Sequence, residues 1–574
     1  MTKPKSNFTF TEPRDTIEIY LPDGRAITGT RGASIADFMN VLPEEERQII
    51  VGAIVNSELR ELTFKLDLDA RVTPVTMKSA DGARIYRRSL TFLLEVAFED
   101  LFPDAELRID HSVSSGGFYC QVTGRPPLDK EELEQLRSLM KMLVQTNLPF
   151  ERQRVPLKDA IEYFKEKGEK DKVKLLSYRQ KEFLILYRLE NHRDYHHGYM
   201  VPSTGYLQWF GLSKMGEGFV LSYPRRFAPT VIQPMPESPK LLTTFQQYGD
   251  WLERLGIESV GALNDAIAAG RIREVILVSE ALHEQRISEI ASLIAQKSDS
   301  IRIVLISGPS SSGKTTFSKR LSVQLISQGV SPYALEMDNY FVDREMTPKD
   351  ENGKYDYEAF DALNRPLLNS QLQDLIAGKE VQIPHFDFKA GRSTPGETIR
   401  LHPGQMIVLE GIHGLNPQLL PDIPKEQSYR IYVSSLTQLN LDKHNRISTT
   451  DTRLIRRIVR DASERGYSAL QTIERWESVR AGEKNHIFPY QENANIMFNS
   501  ALAYELSALK PVVEPLLRQV PFGRQEYIEA KRLLAFLDWF LPINSDLIPD
   551  NSIIREFLGG SILRDFKVWQ NGQE

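Results

Sequence analysis

Cysteine is almost missing from this chain: among 574 residues, Cys120 stands alone. A single thiol closes no intrachain disulfide and builds no cysteine-based zinc cluster, which fits a reducing cytoplasm. Long apolar runs are missing too. The greasiest stretch, LLAFLDWFLPI, is too short to cross a bilayer and carries Asp538, while the opening MTKPKSNFTFTEPRD has no apolar export core. The expectation is a soluble cytoplasmic protein with no membrane partner. Nor is one sign of charge in excess, because 71 Lys and Arg stand against 77 Asp and Glu, a net of -6. With 41% apolar and 26% charged residues, the composition excludes wholesale disorder and a generally basic coat, so any RNA contact must be local. The length implies about three to five folding units, and no internal repeat is visible.

The order of elements can be read next. TIEIYLPDGRAITG alternates apolar and polar residues around Pro22-Asp23-Gly24, the pattern of a hairpin with a tight turn. Behind the cap candidate Ser34, SIADFMNVL reads as a short amphipathic helix, and strands return before this unit closes near residue 78. From SLTFLLEVAFEDLFPDAELRID onward, helical periodicity yields to strand at Pro103-Asp104, opening an α+β region that runs to about 225. Four prolines in PTVIQPMPESPK mark a connector. Two helices follow, with Ser259 and Ser279 as expected caps and Gly270 stopping the first.

The stretch GPSSSGKT, residues 308–315, lies between the apolar run Ile303-Val304-Leu305-Ile306 and a helix whose Phe317, Leu321 and Leu325 recur every four residues. A glycine-rich loop at a strand-to-helix junction points backbone N–H groups at an anion and adds the positive end of the helix. Gly308, Pro309, Ser310, Ser311, Ser312, Gly313 and Thr316 form that cradle. Lys314 reaches the outer phosphates, and the Thr315 hydroxyl suits Mg²⁺. SPYALEMDNYF reads as a buried strand ending in Asp338, beyond the carboxyl end where ligands of parallel sheets gather, so Asp338 is the candidate base for a substrate hydroxyl. MIVLEG ends likewise in Glu410, a candidate Mg²⁺ ligand with Asp338. Finally, Arg453, Arg456, Arg457 and Arg460 fall on one helical stripe with Arg465 just beyond, cations able to neutralise a transferring phosphoryl group.

The ordered series GPSSSGKT, MDNYF, YDYEAFD, PHFDF, VLEGIHGLNP and TRLIRRIVRDASERG resembles the uridine kinase and phosphoribulokinase family. The likeness covers about 296 to 520. It implies a nucleoside kinase-like P-loop fold with a five-stranded parallel sheet and a lid, using ATP and Mg²⁺. It also implies Asp338 as base, Thr315 and Glu410 as magnesium ligands, and Arg457, Arg460 and Arg465 as a phosphate-binding lid. Glu358, Phe386 and Asp387 fall where such kinases meet ribose and base, and Tyr340 and Arg392 are further candidate substrate contacts. FDFKAGRS departs from the family in offering Lys389, Gly391 and Arg392 where pyrimidine kinases place a histidine. Tyr467 stands where a second lid arginine is common, and Glu358 replaces an aspartate.

The first third resembles another family. TIEIYLPDGRAITG through DARVTPVTMK is similar to a TGS domain, and 84 to 212, with FPDAELRID, GGFYCQV and HGYMVPSTG, is similar to the accessory domain of threonyl-tRNA synthetases. Arg88, Phe92, His196 and Met200 occupy the positions of that domain's editing ligands, and one imidazole cannot hold Zn²⁺ by itself. The resulting expectation is an α/β chain divided as follows: a β-grasp TGS module at 1-80, the synthetase accessory-like α+β domain at 81-228, and a connector with helices at 229-298. The P-loop domain then occupies 299-520 and a helical extension 521-574. The functional expectation is an ATP-dependent nucleoside kinase, with a homo-oligomer as one assembly. A nucleotide-switched, RNA- or ribosome-associated regulator is the alternative, touching RNA through the front domains and supported by Arg84, Arg87 and Arg88. A plain NTPase stands third, since NKxD and LSGGQ are both missing.

Overall fold

The computed structural model describes residues 12–113, 116–235, 239–350, 353, 355–387 and 390–566. Lys389 lies outside them. The chain divides into two compact units: one runs to Ala160 and adds Lys181–Met235 and Phe522–Ile528, and the other takes Ile161–Gln180, Pro236–Pro521 and the segment from Glu529 on. The division after Met235 falls inside the proline-rich connector.

In the first unit, Thr16–Tyr20 and Ala26–Thr30 pair antiparallel, with Gly24 at φ +88° supplying the turn conformation that a side chain resists. They join Ala70–Thr76, Ile50–Val55 and Glu58–Arg60 in one five-stranded sheet. Ser34 caps the helix Ile35–Met39 through a reciprocal bond with Asp37. The long helix Ala80–Leu101 then packs its buried stripe of Leu90, Leu93, Leu94 and Ala97 into a core shared with a four-stranded antiparallel sheet containing Glu106–Val113 and Gly117–Thr123. Phe102 ends this helix just before Pro103. Burying each such leucine contributes about 1.5–3 kcal/mol.

The second unit is built on five parallel strands in the order Ser331–Glu336, Gln405–Glu410, Ile303–Ser307, Ser428–Ser434 and Ile496–Asn499. The central strand is buried at every residue because helices cover both faces. Ser331–Glu336 differs from expectation: it is an edge strand whose exposure alternates, with Ala334 and Glu336 outward, and Asp338 belongs to the 3₁₀ turn Met337–Tyr340 beyond it. The helix Lys314–Ser327 buries Phe317, Leu321 and Leu325 completely and ends before Gly329 at φ +82°. Ser259 caps Val260–Ala268 as expected, but Ser279 caps nothing. It lies inside a single helix, Ile272–Ala295, where its hydroxyl donates back to the Val275 carbonyl. A further helix, Pro239–Leu255, starts in the stretch read as connector, because Leu241, Phe245, Tyr248 and Leu252 share one buried face. No helix among the described residues is long and apolar enough to cross a membrane.

Candidate phosphate-binding and phosphoryl-transfer site

The glycine-rich loop leaves the central strand where its neighbours also end, so its position follows from sheet order. Two glycines are sterically required. A Cβ on Gly308 would strike the Val433 carbonyl, and Gly313 sits at φ +83° with Ile553 packed against the position a side chain would take. Ser311 joins them at φ +58°. Positive φ at Ser311 and Gly313, two residues apart, is the kind of backbone alternation from which anion nests are built. Lys314 is buried with its Nζ 3.3 Å from the Pro309 carbonyl and 4.0 Å from Glu410 Oε1. Thr315 Oγ1 donates to Glu410 Oε2 at 3.2 Å, so these two groups converge as the sequence suggested.

Acids crowd the cleft. Asp338 is exposed, yet desolvation by the surrounding protein raises its pKa, with Lys314 opposing and Glu336 adding to the rise. Glu410 is pushed up to about 7 by burial, Lys314 again opposing while Asp338, Glu556 and Glu336 add to the rise. Glu358 reaches about 7 for the same first reason, with Glu483 repelling it and Arg457 and Lys314 pulling it down. It reaches the cleft because Gly482 gives it room; a Cβ there would collide with the Glu358 side chain. A hydroxyl and two carboxylates, Thr315, Glu410 and Asp338, form an all-oxygen donor set that fits a hard dication such as Mg²⁺.

The arginine stripe splits by depth. Arg453 and Arg456 are nearly inaccessible and spent on structure: Arg453 pairs with Glu483, and Arg456 with Glu505 while donating to the Ser500 carbonyl. Because Glu483 also accepts the Ser310 N–H at 3.0 Å, this buried network braces the loop from behind. Arg457 points the other way and donates to Ser310 Oγ at 2.8 Å. Arg460 lies 3.6 Å from Glu556, and burial together with the nearby Arg465 pushes its pKa down. Arg465 ends the helix Thr449–Glu464 half-exposed and pairs with Asp461. Tyr467 lies under the Arg475 guanidinium.

Among the expected base and sugar contacts, Tyr340 faces the core instead of the cleft: it is 1% exposed and its hydroxyl donates to Gln371 at 2.9 Å. Phe386 and Asp387 end the strand Glu380–Asp387 and Arg392 begins Arg392–Arg400, the two halves of an antiparallel hairpin in which Asp387 faces Arg392. The Phe386 ring meets Phe341 edge-on at 5.8 Å.

Two residues escaped sequence reading. Glu483 carries no local signal. Glu556, in REFLGGS, accepts both the amide (3.2 Å) and the hydroxyl (2.9 Å) of Thr316, and that amide is one of the unpaired donors at the start of the loop helix. Its segment is anchored by Ile553, Ile554 and Phe557, all fully buried. In the first unit, Arg84, Arg87 and Arg88 do not form a free cationic patch. Arg84 pairs with Asp81, Arg87 donates to the Ala83 carbonyl and lies over Tyr223, and Arg88 donates to the Tyr199 carbonyl. Phe92 and Met200 are buried apolar residues that offer no ligand, and His196 is buried against the Phe92 ring.

Comparison with known proteins divides along the same line. Residues 303–506 match the family model described as "Phosphoribulokinase / Uridine kinase family". The N-terminal region is similar to threonine–tRNA ligases: 34% identical over 202 residues to that of Laribacter hongkongensis, covering 35% of this chain and 32% of that protein. Against the enzyme of Burkholderia lata the identity is 32% over 204 residues, with the same coverage. The chain thus spans about a third of the length of these curated relatives. A solved structure described as a possible uridine kinase from Bacillus stearothermophilus aligns at 19% identity over 35% of this chain and 89% of that one, with a TM-score of 0.24.

Proposed function

We propose that the second unit transfers the γ-phosphoryl group of ATP to the 5′-hydroxyl of a nucleoside. The observation that carries this reading is the convergence on one cleft of an anion nest, Lys314, a carboxylate of raised pKa at Asp338, and Arg457 touching the nest at Ser310. Amides of the loop and Lys314 hold the triphosphate. Asp338 accepts the proton of the acceptor hydroxyl as its oxygen bonds to the γ-phosphorus and the bond to the β-phosphate oxygen breaks, releasing ADP. Desolvation raises the Asp338 pKa, which makes its carboxylate a stronger proton acceptor. Thr315, Glu410 and Asp338 would hold Mg²⁺, which supplies charge neutralisation when bound. Arg457, Arg460 and Arg465 screen the phosphates from the lid side. Glu358, Phe386, Asp387 and Arg392 frame the acceptor.

The test is direct: the full chain is incubated with ATP, Mg²⁺ and individual nucleosides, and nucleoside monophosphate is sought. ATP consumption that yields phosphate but no monophosphate across the panel would overturn the acceptor and leave a nucleotide hydrolase. The regulator reading draws support from the synthetase-like first region, and it requires RNA affinity falling steeply with salt. Of Arg84, Arg87 and Arg88, the first is paired with Asp81, while the other two donate to the Ala83 and Tyr199 carbonyls and keep their charge.

A further inference from the structure

Outside the phosphate cleft, the first unit brings three buried donors to one point. Glu95 comes from the helix Ala80–Leu101, Asp194 from the strand His192–Asp194, and His196 from the turn after it. One oxygen or nitrogen of each lies within 4.8 Å of the other two, and the residues are 6%, 3% and 3% exposed. His196 Nε2 stands 3.2 Å from Glu95 Oε2, with the Phe92 ring 5.2 Å from the imidazole. Asp194 is oriented by accepting the Tyr195 N–H at 2.6 Å.

We propose that Glu95, Asp194 and His196 bind a divalent transition-metal ion, with Zn²⁺ the best chemical match. Charge is the first argument. Within the donor set, two carboxylates, a neutral imidazole and a dication sum to zero, the balance that a buried site favours. The nearby Cys120 thiol is pushed up chiefly by burial, and Asp110 and Glu95 add to the rise. Donor type is the second. An imidazole with carboxylates suits Zn²⁺, Mn²⁺ or Fe²⁺, while Ca²⁺ needs six to eight oxygens. Bonds of about 2.0–2.2 Å set donors around one ion about 3–4 Å apart, so a small inward rotation of the widest pair completes the set. Three protein ligands leave the fourth tetrahedral position to water. Of the three donors, His196 is the one that the synthetase likeness marks, and Glu95 and Asp194 are not among its positions. Glu95 lies one helical turn beyond Phe92, and Asp194 two residues before His196, and together they add the donors that a lone imidazole lacks.

The experiment uses the full chain, stripped with chelator and kept in saturating Mg²⁺ so that the phosphate cleft is occupied. Titration with Zn²⁺ and Co²⁺ is followed by elemental analysis, visible absorption and thermal melting. The expected result is uptake of about one equivalent, Co²⁺ bands of nitrogen and oxygen ligation, and a rise in melting temperature with Zn²⁺. Affinity should fall at least about tenfold in Glu95→Gln and in Asp194→Asn. Equal uptake by a Glu95→Gln/His196→Ala double variant would overturn the site. Should the variants fail to fold by circular dichroism, the wild type decides: a chain that binds no Co²⁺ with histidine-ligated bands excludes the proposal.

Discussion

The first and second units treat a known pattern in opposite ways. In the second, Thr315 of the glycine-rich loop donates to Glu410 at the end of one parallel strand, and Asp338 lies just beyond the end of the neighbouring strand. In the first, whose sequence is similar to threonine–tRNA ligases, Phe92 and Met200 are buried apolar residues, and the polar residues that meet are Glu95, Asp194 and His196. A scaffold therefore carries no chemistry by itself; chemistry is inherited one side chain at a time.

The sharpest way to break this contrast is Asp338→Asn. Loss of a general base lowers turnover by about 10²- to 10⁴-fold, while ATP binding by calorimetry stays near wild type; near-normal turnover would remove Asp338 from the role. Next comes Phe92→Ala in the other unit. Phe92 is 1% exposed and packs on Phe150 and His196, so its truncation should cost about 3–5 kcal/mol in denaturant unfolding. ATP affinity should be unaffected, and a parallel loss of it would couple the units.

A third test uses pH. Glu358 and Glu410 titrate near 7 in the folded chain against an ordinary value of 4.5, so the folded state binds more protons than the unfolded one between those values. Stability from this source is fully present below about pH 4.5 and lost as pH rises through about 7. The melting temperature should fall across that window, and Glu410→Gln should flatten the fall; an unchanged slope would place the carboxylate in water. The smallest effect is expected at Glu556. Its charge competes with nucleotide phosphate for Thr316 and Arg460, so Glu556→Gln should tighten ATP binding about two- to fivefold, the range for one charge at a helix N-terminus. Weaker binding would make Glu556 part of the nucleotide site instead.

Much of the second unit was legible locally. The loop, the strand before it and the amphipathic helix after it are consecutive, so a period of four and two glycines suffice to read them. Gly24, Ser34 and Ser259 were legible for the same reason, because turns and caps are decided by a few neighbouring residues. Ser279 misled because a serine inside a helix can bond back to the preceding turn and carry no boundary. The stripe from Arg453 to Arg460 misled differently: helical spacing tells which residues share a face, not whether that face meets solvent, Glu483 and Glu505, or the loop. Tyr340 sits in a motif beside Asp338, yet the 3₁₀ turn sends the two side chains in opposite directions.

By itself the sequence determined the glycine-rich loop and its strand-to-helix setting, because that loop is made from contiguous backbone whose conformation glycine and helix start dictate. Only the tertiary structure decided which charges share the cleft and which are entombed. Glu483, Glu556 and Gly482 act on the loop and on Glu358 from more than a hundred residues away, and Glu95 meets Asp194 and His196 across a similar gap. Electrostatic energy depends on distance through the packed interior, and that distance is not written in any local stretch of chain.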